Sequence, residues 1–304
     1  MRRRTRLSIA ASLLLVTGLQ GAASPWHPAN FLSAYRWSGD DPRLGGLSGI
    51  EVSADGREFI ALSDRGAITR GRFDRDADGR IAGIDTAPFA LLKAGAEAPL
   101  DPARADSEGL AWGADGRILV SFEGVARVLA YDRVDGSAGN LPRHPDFAAM
   151  QANSALEALA IDARGRIFTL PERSGDEDRP FPVYMFDGSW HQDWSIPRDG
   201  AYLPVGADFG PDGRLYLLER RFLGIGGFAS RVRAFALDQH GFGAGQTVLE
   251  TTPGTHGNLE GLSVWLDDRG DIRLTMLSDD NFLFYLRNEI VEYRLPVDAA
   301  DPAG

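Results

Sequence analysis

The chain has 304 residues, with 43 acidic against 32 basic side chains, a formal net charge of −11 at neutral pH, and no cysteine. Such a balance repels nucleic acid and anionic membrane surfaces and attracts divalent cations. Without cysteine there is no disulfide framework, thiol nucleophile or thiolate metal site, so the fold must rest on its own core.

The stretch from Met1 to Arg6 carries four arginines, runs into the apolar Leu7 to Leu19, and ends at the small residues Gly21, Ala22, Ala23 and Ser24. Basic, apolar and small-residue regions in that order predict a secretory signal peptide over residues 1–23, and so a periplasmic or secreted protein. The apolar run is shorter than the ~20 residues a spanning helix requires, and no later run reaches that length, so no membrane span is expected. One domain is expected over residues 24–296, followed by a disordered tail over 297–304.

The segment Asn30 to Trp37 reads as a first strand. After it, five segments share one plan: Ser48 to Gly66, Glu108 to Gly124, Glu157 to Arg173, Val205 to Arg221 and Glu260 to Asn281. Each is an apolar strand, a turn of the Asp-Gly-Arg type, and a second apolar strand, and an Asp-Gly pair between two β-rich runs is a strong hairpin signal. The equivalent positions Gly49, Gly109, Ala158, Gly206 and Gly261 are 60, 49, 48 and 55 residues apart, with further strands such as Arg127 to Tyr131, Val183 to Phe186 and Arg231 to Leu237 between them. About 50 residues holding four short strands is the period of a propeller blade, so an all-β β-propeller is expected. A β-sandwich would not repeat a hairpin at a near-constant interval.

Five repeats are visible, and the expected ring of six is completed by a degenerate blade. The C-terminal strand Asn288 to Leu295 ends the last unit, and its pairing with Asn30 to Trp37 would remove the exposed edges. A helix is expected over Asp146 to Gln151.

In a blade the first strand lines the axis and the second returns beside it, so the start of one and the end of the other share a face. Strand starts carry Glu108, Glu157 and Glu260; strand ends carry Asp64, Glu123, Glu172, Glu219, Asp279 and Asp280. Their mutual repulsion must be relieved by cations, protons or arginines. The metal candidates are Glu108, Glu157, Glu219, Asp279 and Asp280 with the neutral oxygens of Asn258 and Asn281, a set suited to Ca²⁺ or another hard cation. Arg65, Arg173, Arg220 and Arg221 follow the strand-end acids and are candidates for substrate binding. Glu260, Glu172 and His256, four residues before Glu260, are the catalytic candidates, the histidine as base or third ligand.

A separate run, Asp74-x-Asp76-x-Asp78-Gly79 with Asp85, has EF-hand-like spacing between strands and is a candidate structural calcium site on the opposite, turn face. There is no Gly-x-Ser-x-Gly nucleophile elbow.

The stretches GGLSGI (45–50), LSDRG (62–66), DSEGLA (106–111), LEALA (156–160), PER (171–173), ERR (219–221), GNLEGLS (257–263) and SDDNF (278–282) give the chain its family likeness. It resembles the phytase-like family labelled "esterase-like activity of phytase" over almost the whole mature chain, with Ala158 standing where the pattern has glycine. The resemblance implies an exported propeller of six blades. Calcium-dependent propeller phytases resemble the chain in architecture more than in motif, so none of their ligands is carried over.

Together these readings lead to an expected metal-dependent hydrolase of phosphoesters or carboxylic esters, acting as a monomer on a small molecule. Two alternatives remain. A sugar-lactone hydrolase would hold one ion tightly at the channel mouth, whereas a non-enzymatic propeller binding a cationic or glycan ligand would satisfy its whole ring with arginines.

Overall fold

The computed structural model describes residues 29–296 apart from 96–97, 152–153 and 282–285; the expected signal peptide and tail lie outside these residues. Four strands, Leu47–Val52, Glu58–Ser63, Ala67–Arg75 and Ile81–Thr86, form an antiparallel sheet that is blade 1. Blade 2 is Ser107–Trp112, Ile118–Phe122, Arg127–Tyr131 and Gly139–Asn140, and blade 3 is Leu156–Ile161, Ile167–Pro171, Phe181–Phe186 and Trp190–Ile196. Blade 4 is Leu203–Phe209, Leu215–Phe222, Phe228–Phe235 and Gln246–Glu250. Blade 5 is Asn258–Leu266, Ile272–Asp279 and Glu289–Leu295, with Asn30–Arg36 antiparallel to Glu289–Leu295 as its outermost strand.

The ring has five blades, not the expected six. The inner strand of each blade lies against that of the next, and the inner strand of blade 5 touches those of both blade 4 and blade 1. Five inner strands therefore close the circle, and no place is left for a degenerate sixth sheet. The helix expected at Asp146 to Gln151 is a 3₁₀ turn, Pro145–Ala149, whose buried Phe147 packs edge-on against Tyr184 and Trp190.

The turns follow from their aspartates. Asp55, Asp115, Asp162, Asp212 and Asp267 each accept, through Oδ1, the backbone N–H two residues on, at 2.9–3.2 Å. A short acidic side chain can thus replace a missing backbone partner and fix the hairpin. The core is distributed between the sheets. One cluster joins blades 4 and 5 through Leu218, Val232, Leu262, Leu274 and Val291, and the other interfaces repeat the arrangement, so each blade is stabilised by its neighbours.

The glycine of each repeat belongs to this packing. A Cβ on Gly109 would stand 2.5 Å from the carbonyl oxygen of Glu157 in the next blade, and one on Gly206 2.5 Å from that of Glu260. Both distances are far inside van der Waals contact, so glycine is what lets successive inner strands close on so tight a ring.

Candidate functional site

All five inner strands share an irregularity that the sequence pattern did not reveal. Pairing with the second strand shifts register between Leu47 and Gly49, Ser107 and Leu110, Leu156 and Ala158, Pro204 and Gly206, and Leu259 and Gly261. The residue that falls in the bulge is Ser48, Glu108, Glu157, Val205 or Glu260. Bulges re-aim side chains and are common beside functional sites. Here the same device recurs around one end of the axis, and in three blades it presents a glutamate.

The ends of the second strands meet the starts of the first. The backbone N–H groups of Asp64, Glu123 and Glu172 donate to the carbonyls of Gly46, Asp106 and Ala155 at 2.7–3.0 Å. The expected convergence of strand starts and strand ends is therefore present. Asp64, Asp106, Glu108, Glu123, Glu157, Glu172, Glu260 and Asp279 gather into one acidic cup, each acting electrostatically on others of the set.

Asp106 lies within hydrogen-bonding reach of Glu108 and Glu123, and Glu123 of Glu157. Two carboxyl groups share such a bond only when one keeps a proton. One oxygen from each of Asp106, Glu108 and Glu123 lies within 4.8 Å of the other two. Burial, reinforced by neighbouring carboxylates, pushes Glu108 and Glu157 well above the ordinary carboxyl range. It raises Asp64, Glu123 and Asp279 to about 7.

The opposite wall is organised by Arg220. Its guanidinium donates through Nη1 to Asn258 Oδ1 at 2.6 Å and to Glu260 Oε1, and through Nη2 to Glu172 Oε1 at 3.4 Å. Asn258 completes the clamp by donating Nδ2 to the same Glu260 oxygen at 2.7 Å. Burial works against the charge of Arg220, but Glu260, Glu157 and Glu172 outweigh it and hold the arginine more firmly protonated than usual.

Register explains why this cation is there. Leu62, Leu170, Leu218 and Leu277 face Gly49, Ala158, Gly206 and Gly261, so the positions two residues further on are equivalent: Asp64, Glu172, Arg220 and Asp279. Blade 4 thus places an arginine where its neighbours place an acid. Glu219, expected from the sequence to join the metal ligands, is one residue out of phase. It is fully buried on the other side of the strand, where Arg231 Nε donates to its Oε2 at 3.0 Å and Arg233 Nη2 to its Oε1 at 2.6 Å.

Residues 42–282 match the phytase-like family described as "Esterase-like activity of phytase". The chain belongs to the phytase-like family. No curated protein matches it. Among solved structures it is similar in fold to an α-L-arabinofuranosidase from Podospora anserina crystallised with cellotriose, at 14% identity, TM-score 0.52, covering 88% of this chain and 96% of that one. Less similar are a virginiamycin B lyase from Staphylococcus aureus (16%, TM-score 0.40, 89% and 76%) and a putative 6-phosphogluconolactonase from Bacteroides uniformis (16%, TM-score 0.43, 84% and 88%). At such identity the arabinofuranosidase speaks for the propeller fold alone.

The remaining candidates of this phytase-like protein fall at different distances from the cup. Arg65 acts on Asp64, and Arg173, half exposed, stands 3.3 Å from Glu172, so both sit at the rim. Arg221 points elsewhere, its guanidinium 5.2 Å over the ring of Tyr202. Asp280 ties blade 5 to blade 1 by accepting from Gly46 N and Asn288 Nδ2, both at 3.0 Å. Asn281 is an exposed turn residue with φ 48° whose N–H bonds Asp279 at 2.6 Å.

His256, expected beside Glu260 as a base, bonds Tyr293 Oη at 2.7 Å and stacks on Phe31 against the outer strands of blade 5, where burial alone lowers its pKa. The EF-hand-like run forms a hairpin turn of the ordinary kind. Asp76 Oδ1 accepts the N–H groups of Asp78 and Arg80 at 2.9 Å, and Arg80 pairs with Asp78, so these carboxylates face the backbone and an arginine instead of a common centre. Among the described residues no helix is long and apolar enough to cross a membrane.

Sequence reasoning had not assigned Asp64, Asp106 or Glu123 to the metal set. A usable signal existed: Glu123, Glu172 and Arg220 each stand fourteen residues after the glycine or alanine of their repeat, whereas Glu219 stands thirteen after it.

Proposed function

We propose that the cup binds a hard divalent cation, Ca²⁺ in the first instance, and hydrolyses a small phosphoester or carboxylic ester. The observation that carries this reading is the Asp106, Glu108 and Glu123 triad, three carboxylates with oxygens within 4.8 Å of one another whose strongest neighbours are further carboxylates. Such a set must be protonated or must hold a cation, and all its donors are hard oxygens. When bound, a cation supplies positive charge that polarises an ester or phosphoryl oxygen and lowers the pKa of water.

The chain's own residues divide the remaining work. Asp106, Glu108 and Glu123 would hold the cation. Glu157, between Glu123 and Arg220, is a buried carboxyl able to hold or release a proton near the reacting centre. Arg220 and Asn258 fix Glu260 in one orientation and partly offset the burial that pushes its carboxyl upward, and Arg220 also pairs with Glu172, which suits these two for general base and positioning roles. Arg173 and Arg65 at the rim would meet a substrate anion, with the Arg220 guanidinium contributing positive charge from within. Because Arg220 engages Glu260 and Glu172 and not the triad, the ring is not satisfied wholly by arginines, which disfavours a purely binding propeller.

The test is a panel of 4-nitrophenyl phosphate, 4-nitrophenyl acetate and a sugar lactone, each with Ca²⁺ and with chelator. The proposal expects turnover of a phosphate or carboxylate ester that chelation abolishes and Ca²⁺ restores. Turnover of the lactone alone would replace it by the lactonase reading, and no turnover of any member would remove the enzymatic one.

A further inference from the structure

The inner strands carry a second oxygen cluster that the proposed chemistry does not use. Three residues beyond each bulge the ring position is held by Glu51, Ala111, Ala160, Asp208 and Ser263. This level lies about 10 Å along the strands from the cup, at 3.3 Å per residue. Between the two levels the axis narrows to a small cavity lined by Ile50, Leu110, Leu159, Ala207 and Leu262, with Ser48 and Glu260 at its cup end. An apolar collar therefore separates this cluster from the cup.

The oxygens come from three consecutive blades. Ser263 Oγ donates to Glu51 Oε2 at 3.3 Å and accepts the Val52 N–H at 2.9 Å, and it also lies beside Asp208. Asp208 Oδ2 accepts the Val264 N–H at 2.6 Å. One hydroxyl proton cannot serve two carboxyl groups. Glu51 is 5% exposed, and although the Trp112 N–H lies near its carboxyl group, Oε1 is buried with no hydrogen-bond partner. No arginine ranks among the main influences on either acid, each of which burial drives toward its neutral form. A buried carboxylate oxygen left unpartnered is strongly unfavourable, so something must meet it.

We propose that Glu51, Asp208 and Ser263 form a second cation site, separate from the cup, that takes a hard divalent cation such as Ca²⁺ and clamps blades 4, 5 and 1 at the axis. Two carboxylates and a hydroxyl supply three oxygen ligands, or five if both carboxylates bind through both oxygens, toward the six to eight that Ca²⁺ takes. The role is structural, because the apolar collar separates these oxygens from the residues assigned to hydrolysis.

The experiment measures bound calcium per chain by elemental analysis after chelation, re-addition of Ca²⁺ and desalting, alongside thermal melting with and without Ca²⁺. Glu51→Gln and Asp208→Asn should each lose one Ca²⁺ per chain relative to the unaltered protein and reduce the Ca²⁺-induced rise in Tm, while Glu108→Gln keeps this ion. If either acid variant fails to fold, Ser263→Ala removes one neutral ligand and should weaken the Ca²⁺ affinity of one site about tenfold. Unchanged calcium content and affinity in these variants would overturn the proposal. So would a Glu51→Gln protein that melts higher in chelator without losing calcium, since the pair would then be sharing a proton.

Discussion

Replacing Arg220 by methionine removes the cation that the structure places among Glu260, Glu172 and Glu157 while keeping most of the side-chain volume. Breaking a buried ion pair by deleting one partner costs about 3–5 kcal/mol, because the other charge stays buried and uncompensated. The Arg220 side chain is 21% exposed and that of Glu260 13%, so water screens part of the loss and the lower end, about 3 kcal/mol, applies. In a chain of this size that corresponds to a fall in Tm of about 6 °C. The assay is thermal unfolding in chelator, so that no metal takes the place of the guanidinium.

A double-mutant cycle with Glu260→Gln makes the reasoning refutable. Adding Glu260→Gln to Arg220→Met removes the charge that the single variant strands, so the double variant should regain at least about 1.5 kcal/mol relative to additivity. Losses that add to within about 0.5 kcal/mol would show that Arg220 and Glu260 are not coupled, and the account of the cup's balanced wall would fail.

The pH dependence without metal should be the reverse of ordinary acid denaturation. Burial raises Asp64, Glu123 and Asp279 to about 7 in the folded protein, above their unfolded values near 4. Protons therefore bind the folded state more tightly. The associated stability is fully present below about pH 4 and is lost as pH rises through about 7, so in chelator Tm should fall between pH 5 and 8, and Ca²⁺ should flatten that fall. A chelated protein whose Tm rises over this range contradicts the assignment. Glu219→Gln should destabilise the fold by about 3 kcal/mol or more, because Arg231 and Arg233 lose their buried partner, yet leave calcium content and activity per folded molecule unchanged. Loss of bound calcium in that variant would return Glu219 to the ligand set.

The propeller was legible because its hairpins are written locally. An Asp-Gly-Arg turn flanked by apolar runs has one good conformation, and repetition at a near-constant interval implies stacked copies. The blade count was less legible, since closure depends on how near successive inner strands approach. That distance is set by glycines such as Gly109 and Gly206, whose role appears only against the carbonyls of the next blade.

The acidic face followed from strand polarity, which is a topological fact. Its membership did not. A strand's side chains alternate between two faces, so counting Glu219 with the cup beside Arg220 took a buried acid, held by Arg231 and Arg233, for a cup ligand. The place of His256 was hidden for another reason. Proximity in sequence to Glu260 said nothing of the Tyr293 hydroxyl that captures its ring. In the Asp74 to Asp85 run, spacing alone does not decide whether carboxylates face an ion or their own backbone, and Asp76 faces its backbone.

The most direct test of the central claim compares ester or phosphoester turnover by the unaltered protein and by Glu123→Gln, with Ca²⁺ saturating and with folding checked by melting. Glu123 belongs to the triad and is removed from Arg220, so its replacement should leave the fold intact and abolish both Ca²⁺-dependent turnover and binding of the cup's cation. A folded Glu123→Gln protein that hydrolyses the same substrate at the same Ca²⁺-dependent rate would contradict the assignment of the carboxyl cup as the active site.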